Sequence, residues 1–298
     1  MSHPDGGRLT KQDIQKIRDD IVRLRNEKNI VNQDIQDDVF TLIEKECKVF
    51  YYPINDQELW AFYHKEEPED GRSRKFVFIN TSLPYEKQIF AAAHELAHIW
   101  SVSADESETL VTSADEDSPI RLDEADSVTP SKDEDIANRF AAEFLIDEKT
   151  VRALFKRCVE GHSKYPKEVQ LISLVLCLMD YYLVPYKMTV LRLEELGLIT
   201  SQEEESLLSI PRDGENSIRQ LQTRFGLCER NNEITNTKKF ADFIDLAIQD
   251  YQKELITFAK LRQLLSIFDL TPEGMGITEE KKQEFLTPEE LDAILEDE

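Results

Sequence analysis

Ala91-Ala92-Ala93-His94-Glu95-Leu96-Ala97-His98-Ile99-Trp100 is the stretch on which the reading of this chain turns. It contains His-Glu-x-x-His. On a helix, side chains four apart lie one turn above each other on one face. His94 and His98 can therefore aim imidazole nitrogens at one metal ion. Glu95 is rotated from His94 by about 100°, close enough to reach a water held by that ion. Two neutral nitrogen ligands, an open coordination position and a neighbouring carboxylate base are what a zinc peptidase needs. Helix signals surround the motif: Ser82 and Pro84 mark a start, Glu86 puts negative charge in the first turn, and no Gly or Pro interrupts Tyr85 to Trp100. Ile89, Phe90, Ala93, Ala97 and Trp100 form an apolar stripe. The bland reading is a buried helix with two incidental histidines. The chain has only five histidines, so two at this spacing favour the metal.

N-terminal to this helix the hydrophobic period changes. Residues 1–9 read as a disordered tail, Leu9 to Glu27 as a helix, and Asn32 to Cys47 as a second helix that packs as scaffold. Lys48 to Pro53, Glu58 to Tyr63 and Lys75 to Asn80 are aromatic and β-branched runs, separated by Asn55-Asp56 and by the turn-forming stretch Pro68–Gly71. They predict a three-stranded sheet leading into the His-Glu-x-x-His helix, with an edge strand able to pair with an extended peptide.

C-terminal to it, Ser101 to Lys132 holds nine acidic and two basic residues and no clear periodicity. This is a solvated insertion, or an acidic lid that gates the site or recruits a basic substrate. Order returns with Asp133-Glu134-Asp135-Ile136-Ala137-Asn138-Arg139-Phe140-Ala141-Ala142-Glu143-Phe144-Leu145. A catalytic zinc takes a third protein ligand, commonly a carboxylate. Glu134 is the candidate, with Asn138 one turn on to hydrogen-bond a ligand. Glu143 is the alternative, two and a half turns along.

The His-Glu-Leu-Ala-His helix followed by Glu-x-x-Ala-Asn-Arg-Phe-Ala-Ala-Glu-Phe-Leu resembles the ImmA/IrrE family of metallopeptidases, over roughly residues 35–200. The resemblance implies an α+β, zincin-like fold: a minimal metallopeptidase with a small sheet, followed by a mostly helical C-terminal region. It implies His94, His98 and Glu134 as metal ligands and Glu95 as the catalytic acid/base. It also implies a substrate, a helix-turn-helix repressor of the XRE type, whose inactivation switches on mobile-element or stress-response genes. Two departures stand out. The acidic insertion is long for the family, and Ile146-Asp147 stands where a Met-Pro or similar is usual.

Further on, Glu148 to Val159, Lys167 to Tyr182 and Pro185 to Leu196 read as helices. The last two resemble the helix-turn-helix-like segment that follows the peptidase part in this family, although packing against the catalytic domain is the favoured role. Asp213-Gly214 suggests a boundary. The remainder is helical by periodicity, with Phe240, Phe243, Ile244, Ala247, Ile248 and Tyr251 in one stripe and a short last helix from Leu286. The expected organisation is a peptidase domain over 10–160 carrying the insertion 101–132, a helical segment over 161–210, and a helical C-terminal module over 211–298.

Composition narrows the function classes. Thirty-six basic and 60 acidic residues give a formal net charge of −24. Such a surface repels nucleic-acid phosphates and anionic membranes and attracts a basic protein. No direct nucleic-acid or membrane binding is expected, and the oligomeric state is open. Without a secretory signal, and with Cys47, Cys158, Cys177 and Cys228 unpatterned, the chain reads as cytoplasmic with free thiols. The expected chemistry is peptide hydrolysis with zinc, or with manganese or iron on the same ligands. Tyr181, Tyr182, Tyr186, His64 and His162 are candidate oxyanion donors; His3 lies in the tail. The competing reading is a metal-bearing module that sequesters a repressor without cutting it.

Overall fold

The structure, a computed structural model, describes residues 9–66, 74–102, 132–161, 165–227, 232–240 and 242–279. The N-terminal tail, the turn at Pro68–Gly71, most of the acidic insertion, His3, His162, Cys228 and the short helix expected from Leu286 lie outside the described residues, as does the side chain of Cys158.

Helix α1, Lys11–Glu27, begins with a capping box in which Thr10 and Asp13 satisfy each other's backbone N–H groups, and it buries Ile17, Ile21 and Leu24. Helix α2, Asp38–Glu46, is shorter than its periodicity predicts. Gln36 sits at φ 46°, a left-handed conformation that no helix continues through, so the helix starts after it. The strands β1 Lys48–Tyr52, β2 Ala61–Glu66 and β3 Arg74–Asn80 follow. The sheet has four strands, not three. A two-residue strand β4, Lys239–Phe240, pairs antiparallel with β1, giving the order β2-β3-β1-β4 with β1 and β3 parallel. Two residues leave no readable period, and Phe240, taken above as part of a helical stripe, is a strand residue opposite Phe50.

Strand alternation sorts the two faces. Val49, Tyr51, Val77 and Ile79 are buried in the core. On the other face Phe50 and Phe62 both stack on Phe78, each with centroids 4.6 Å apart. β3 then turns directly into α3, Tyr85–Ile99. Asn80 builds that turn: its carbonyl oxygen accepts from the Ile54 and Ser82 amides, and its amide donates to the Asp56 and Leu59 carbonyls. Ser82 is therefore occupied in the turn and does not cap the helix. Pro84 holds the N-cap position without a side-chain cap. The Tyr85 amide donates instead to the Glu233 carbonyl at 2.8 Å.

Around this centre lie α4 Lys132–Leu145, α5 Glu148–Gly161, α6 Lys167–Tyr182, α7 Tyr186–Glu195, α8 Ser201–Leu208 and α9 Ile218–Phe225. Asp147, one of the two departures from the family pattern, accepts from the Thr150 amide at 2.8 Å and starts α5. α6 and α7 bend by 111° at Leu183, which adopts the left-handed conformation. Tyr186, Met188, Thr189, Val190, Arg192 and Leu193 of α7 are buried, so this helix packs.

The chain divides into two compact units, Met1–Phe240 and Ala241–Glu298, whereas Asp213-Gly214 suggests a boundary at 210/211. The segment between stays with the first unit because its backbone is used there. Besides β4, Asn236 N donates to Thr81 O at 2.9 Å and Thr81 Oγ1 donates to Thr237 O at 2.8 Å. In the second unit α10 Phe243–Gln252 and α11 Phe258–Ser266 close on Ala247, Leu261 and Leu265. No single described helix is long and apolar enough to cross a membrane.

Candidate metal centre

α3 and α4 lie side by side. Trp100, just past α3, packs edge-on against Phe140 and Phe144 of α4, with centroids 6.0 and 5.8 Å away. Lys75 Nζ donates to the Ile99 carbonyl at 3.0 Å, placing a cation at the C-terminus of α3 where the dipole favours it. The helix that carries the motif is thus held at both ends.

Between the helices three donor groups converge. His94 Nε2 lies 3.1 Å from His98 Nε2 and 3.2 Å from Glu134 Oε2, and His98 Nε2 lies 3.5 Å from Glu134 Oε1. A tetrahedral ion with Zn–N bonds of about 2.0–2.1 Å keeps its ligand atoms roughly 3.3 Å apart. The observed spacings bracket that value, and the trio can hold a metal ion. His94 Nδ1 lies 2.9 Å from Asn138 Oδ1. An amide oxygen there accepts from Nδ1–H and leaves the Nε2 lone pair facing the convergence point. Burial, and then His94 beside it, lower the His98 pKa to about 4, which keeps that imidazole neutral, as a ligand must be.

Glu95 is buried, and burial first, then the negative charge of Glu134, push its carboxyl well above the usual range. His94, His98 and Glu134 are the donor group that could hold a metal ion, with Glu95 buried next to them in the chain. Access is one-sided. His94 is fully buried, but the side chains of His98 and Glu134 are 26% and 24% exposed, so the site opens past these two.

The other residues singled out from the sequence are engaged differently. Tyr181 donates to Asp34 at 2.5 Å, Tyr186 donates to the Leu207 carbonyl at 3.2 Å, Tyr182 is buried, and His64 stacks on Phe76. Cys47 and Cys177 are free thiols. Glu143, the alternative third ligand, belongs to a buried ion network. Arg139 Nη2 reaches Glu143 Oε1 at 2.6 Å, Arg192 Nη2 reaches Oε2 at 3.0 Å, and Arg18 Nε reaches Oε1 at 3.0 Å. Burial alone would raise the Glu143 carboxyl, but Arg192 and Arg139 outweigh it and hold it below the usual range. Sequence reading missed this network. Its signal was two arginines next to large apolar residues, in Arg139-Phe140 and Leu191-Arg192-Leu193; arginine is rarely buried unless paired.

The chain was compared with family models, curated proteins and solved structures. No curated protein and no solved structure matches it. A family model, the IrrE N-terminal-like domain, matches residues 44–194, just over half of the chain. The match takes in the three longer strands, both helices of the metal centre and the arginine of α7. A small mixed sheet, a His-Glu-x-x-His helix and a carboxylate-bearing second helix fall inside it, and the chain belongs to the ImmA/IrrE family of metallopeptidases.

Proposed function

We propose that this chain is a cytoplasmic, zinc-dependent endopeptidase that cleaves and inactivates a basic helix-turn-helix repressor of the XRE type, and thereby derepresses mobile-element or stress-response genes. The observation that carries the hydrolytic reading is the convergence of His94, His98 and Glu134 within 3.1–3.5 Å beside a buried Glu95. His94, His98 and Glu134 would hold the ion. Zinc bound there supplies Lewis-acid polarisation of a scissile carbonyl and acidifies a water. Asn138 fixes the tautomer of His94. Glu95, next in chain to His94, would take a proton from the attacking water and return it to the leaving amine, its raised carboxyl being brought back to the ionised form by the charge of the bound cation. The partly exposed side chains of His98 and Glu134 mark where a peptide would approach. The net charge of −24 supports a basic partner over an acidic one.

The test is incubation of the zinc-loaded protein with a basic helix-turn-helix repressor, with products followed by mass spectrometry, beside Glu95→Gln. Wild type should cut at a defined bond. Glu95→Gln should bind zinc equally and cut at least roughly 10²–10⁴ more slowly. Equal cutting by both proteins would remove Glu95 from the mechanism. Tight binding without cutting by the wild type would favour a sequestering role.

A further inference from the structure

We propose that Glu143, clamped by Arg139 and Arg192, is a positioning residue that holds Glu134 and Asn138 in register with the two histidines. This rests on the metal-site reading above. α4 has two working faces. Glu134 and Asn138 are one turn apart and face α3. Glu143 is nine residues beyond Glu134, which turns it about 180° to the opposite side. The ion network therefore grips the back of the helix whose front carries the third ligand.

The grip is directional in a way that the apolar packing of α4 is not. Ile136, Ala137, Phe140 and Phe144 are buried and fit α4 to its neighbours by shape, but the hydrophobic driving force itself sets no bond angle. A slide by one residue moves the helix about 1.5 Å and turns it about 100°, enough to carry Glu134 away from the histidines. Guanidinium–carboxylate pairs fix both distance and angle. The network spans three helices: Arg18 comes from α1, Arg139 and Glu143 from α4, and Arg192 and Glu195 from α7. Glu195 Oε2 accepts from Arg139 Nη1 at 2.7 Å and from Arg192 Nη1 at 3.3 Å, closing a ring of two carboxylates and two guanidinium groups. The Arg192 side chain is 1% exposed and that of Glu143 7%, so solvent does not compete for the bond between them. A buried ion network adds little net stability over an apolar core of the same shape, and fixed geometry is what such a network supplies best.

The experiment reads the metal site directly, by cobalt(II) titration of the full chain and the visible absorption of the bound ion, beside far-ultraviolet circular dichroism. Glu143→Gln keeps the shape of the side chain and removes its charge. It should stay folded, bind cobalt roughly tenfold or more weakly, and show an altered cobalt spectrum. Leu174→Ala, a cavity in α6, a helix that contributes no residue to this network, should lower the melting temperature yet keep the native spectrum and affinity; the same spectral change there would reduce the effect to lost stability and overturn the proposal. Native affinity and spectrum in folded Glu143→Gln would also overturn it. If Glu143→Gln does not fold, Glu195→Gln decides in its place, because that side chain is 29% exposed at the outer end of the ring. Unchanged cobalt binding there overturns the proposal, and a weakened, spectrally altered site supports it. A wild type that binds no cobalt, or a His94→Ala variant that binds as wild type does, would instead break the metal-site reading itself.

Discussion

The two faces of α4 both bury charge, and they balance it in opposite ways. On the back, Glu143 takes Arg18, Arg139 and Arg192, and Glu195 takes Arg139 and Arg192, so each of these charges has a partner of opposite sign within the protein. On the front, Glu134 and Glu95 face two imidazoles, of which His98 is held neutral. The front could hold a metal ion, whereas the back pairs its carboxylates with guanidinium groups of the chain itself. The same helix thus presents an internal ion cluster on one side and a candidate metal site on the other. Breaking either should have different signatures, and the difference is measurable.

The largest effect belongs to the front. His94→Ala removes a proposed ligand and the partner of Asn138 together, so stoichiometric zinc binding should disappear. Zinc at a hundred times its Kd should stabilise the wild type by about 2.7 kcal/mol. That increment should be missing from His94→Ala, whose melting temperature should not respond to zinc. A full zinc-dependent shift in the variant would show that the ion binds elsewhere.

On the back, Arg192→Met should cost stability irrespective of metal. Removing one partner of a buried pair costs roughly 3–5 kcal/mol. The lower end is expected, because Glu143 keeps Arg139 and Arg18. Denaturant unfolding in the presence of a chelator measures this without zinc. A loss that vanishes under chelator would mean that the two faces are not separable. A smaller effect is expected from Asn138→Ala on the front: metal affinity weaker by about 10–100-fold, with stability under chelator nearly unchanged. Calorimetric zinc titration checks it, and wild-type affinity would remove Asn138 from the site.

How far the sequence could be read follows the same division. The front face was legible because its information is local. Four-residue spacing on a helix sets the His94–His98 geometry, and four-residue spacing again links Glu134 to Asn138. The back face was not, because Glu143 meets Arg18 from 125 residues away and Arg192 from 49, and no local period encodes such contacts. The helical angle alone already separated Glu143 from Glu134. The sheet shows the same rule. β1, β2 and β3 carry five to seven residues of pattern, while β4 carries two and was absorbed into a neighbouring helical stripe. The chain bends at Asp213-Gly214, with Gly214 at φ 104°, and beyond it returns to the same sheet at β4.

The smallest expected effect concerns a third buried charge, one that is balanced on neither pattern. Glu86, in the first turn of α3, is 3% exposed. One carboxylate oxygen takes Arg212 at 3.1 Å and the other has no hydrogen-bond partner. Burial pushes this carboxyl up to about 7, with Arg212, Lys87 and Arg219 offsetting only part of it. A carboxyl whose folded pKa lies above its unfolded value binds a proton more readily when folded. Its contribution is therefore fully present at acid pH and is lost as pH rises from the ordinary carboxylate range through about 7. Glu86→Gln removes that loss. At about 1.4 kcal/mol per unit the ceiling is about 3 kcal/mol, and the amide forgoes the charged contact with Arg212, so a gain of about 1–2 kcal/mol is expected at pH 8 and little at pH 5. Melting curves of both proteins across that range, under chelator to silence the front face, decide it. Parallel curves would show that Glu86 is ionised throughout, and a variant less stable at pH 8 would show that the Arg212 pair outweighs the burial.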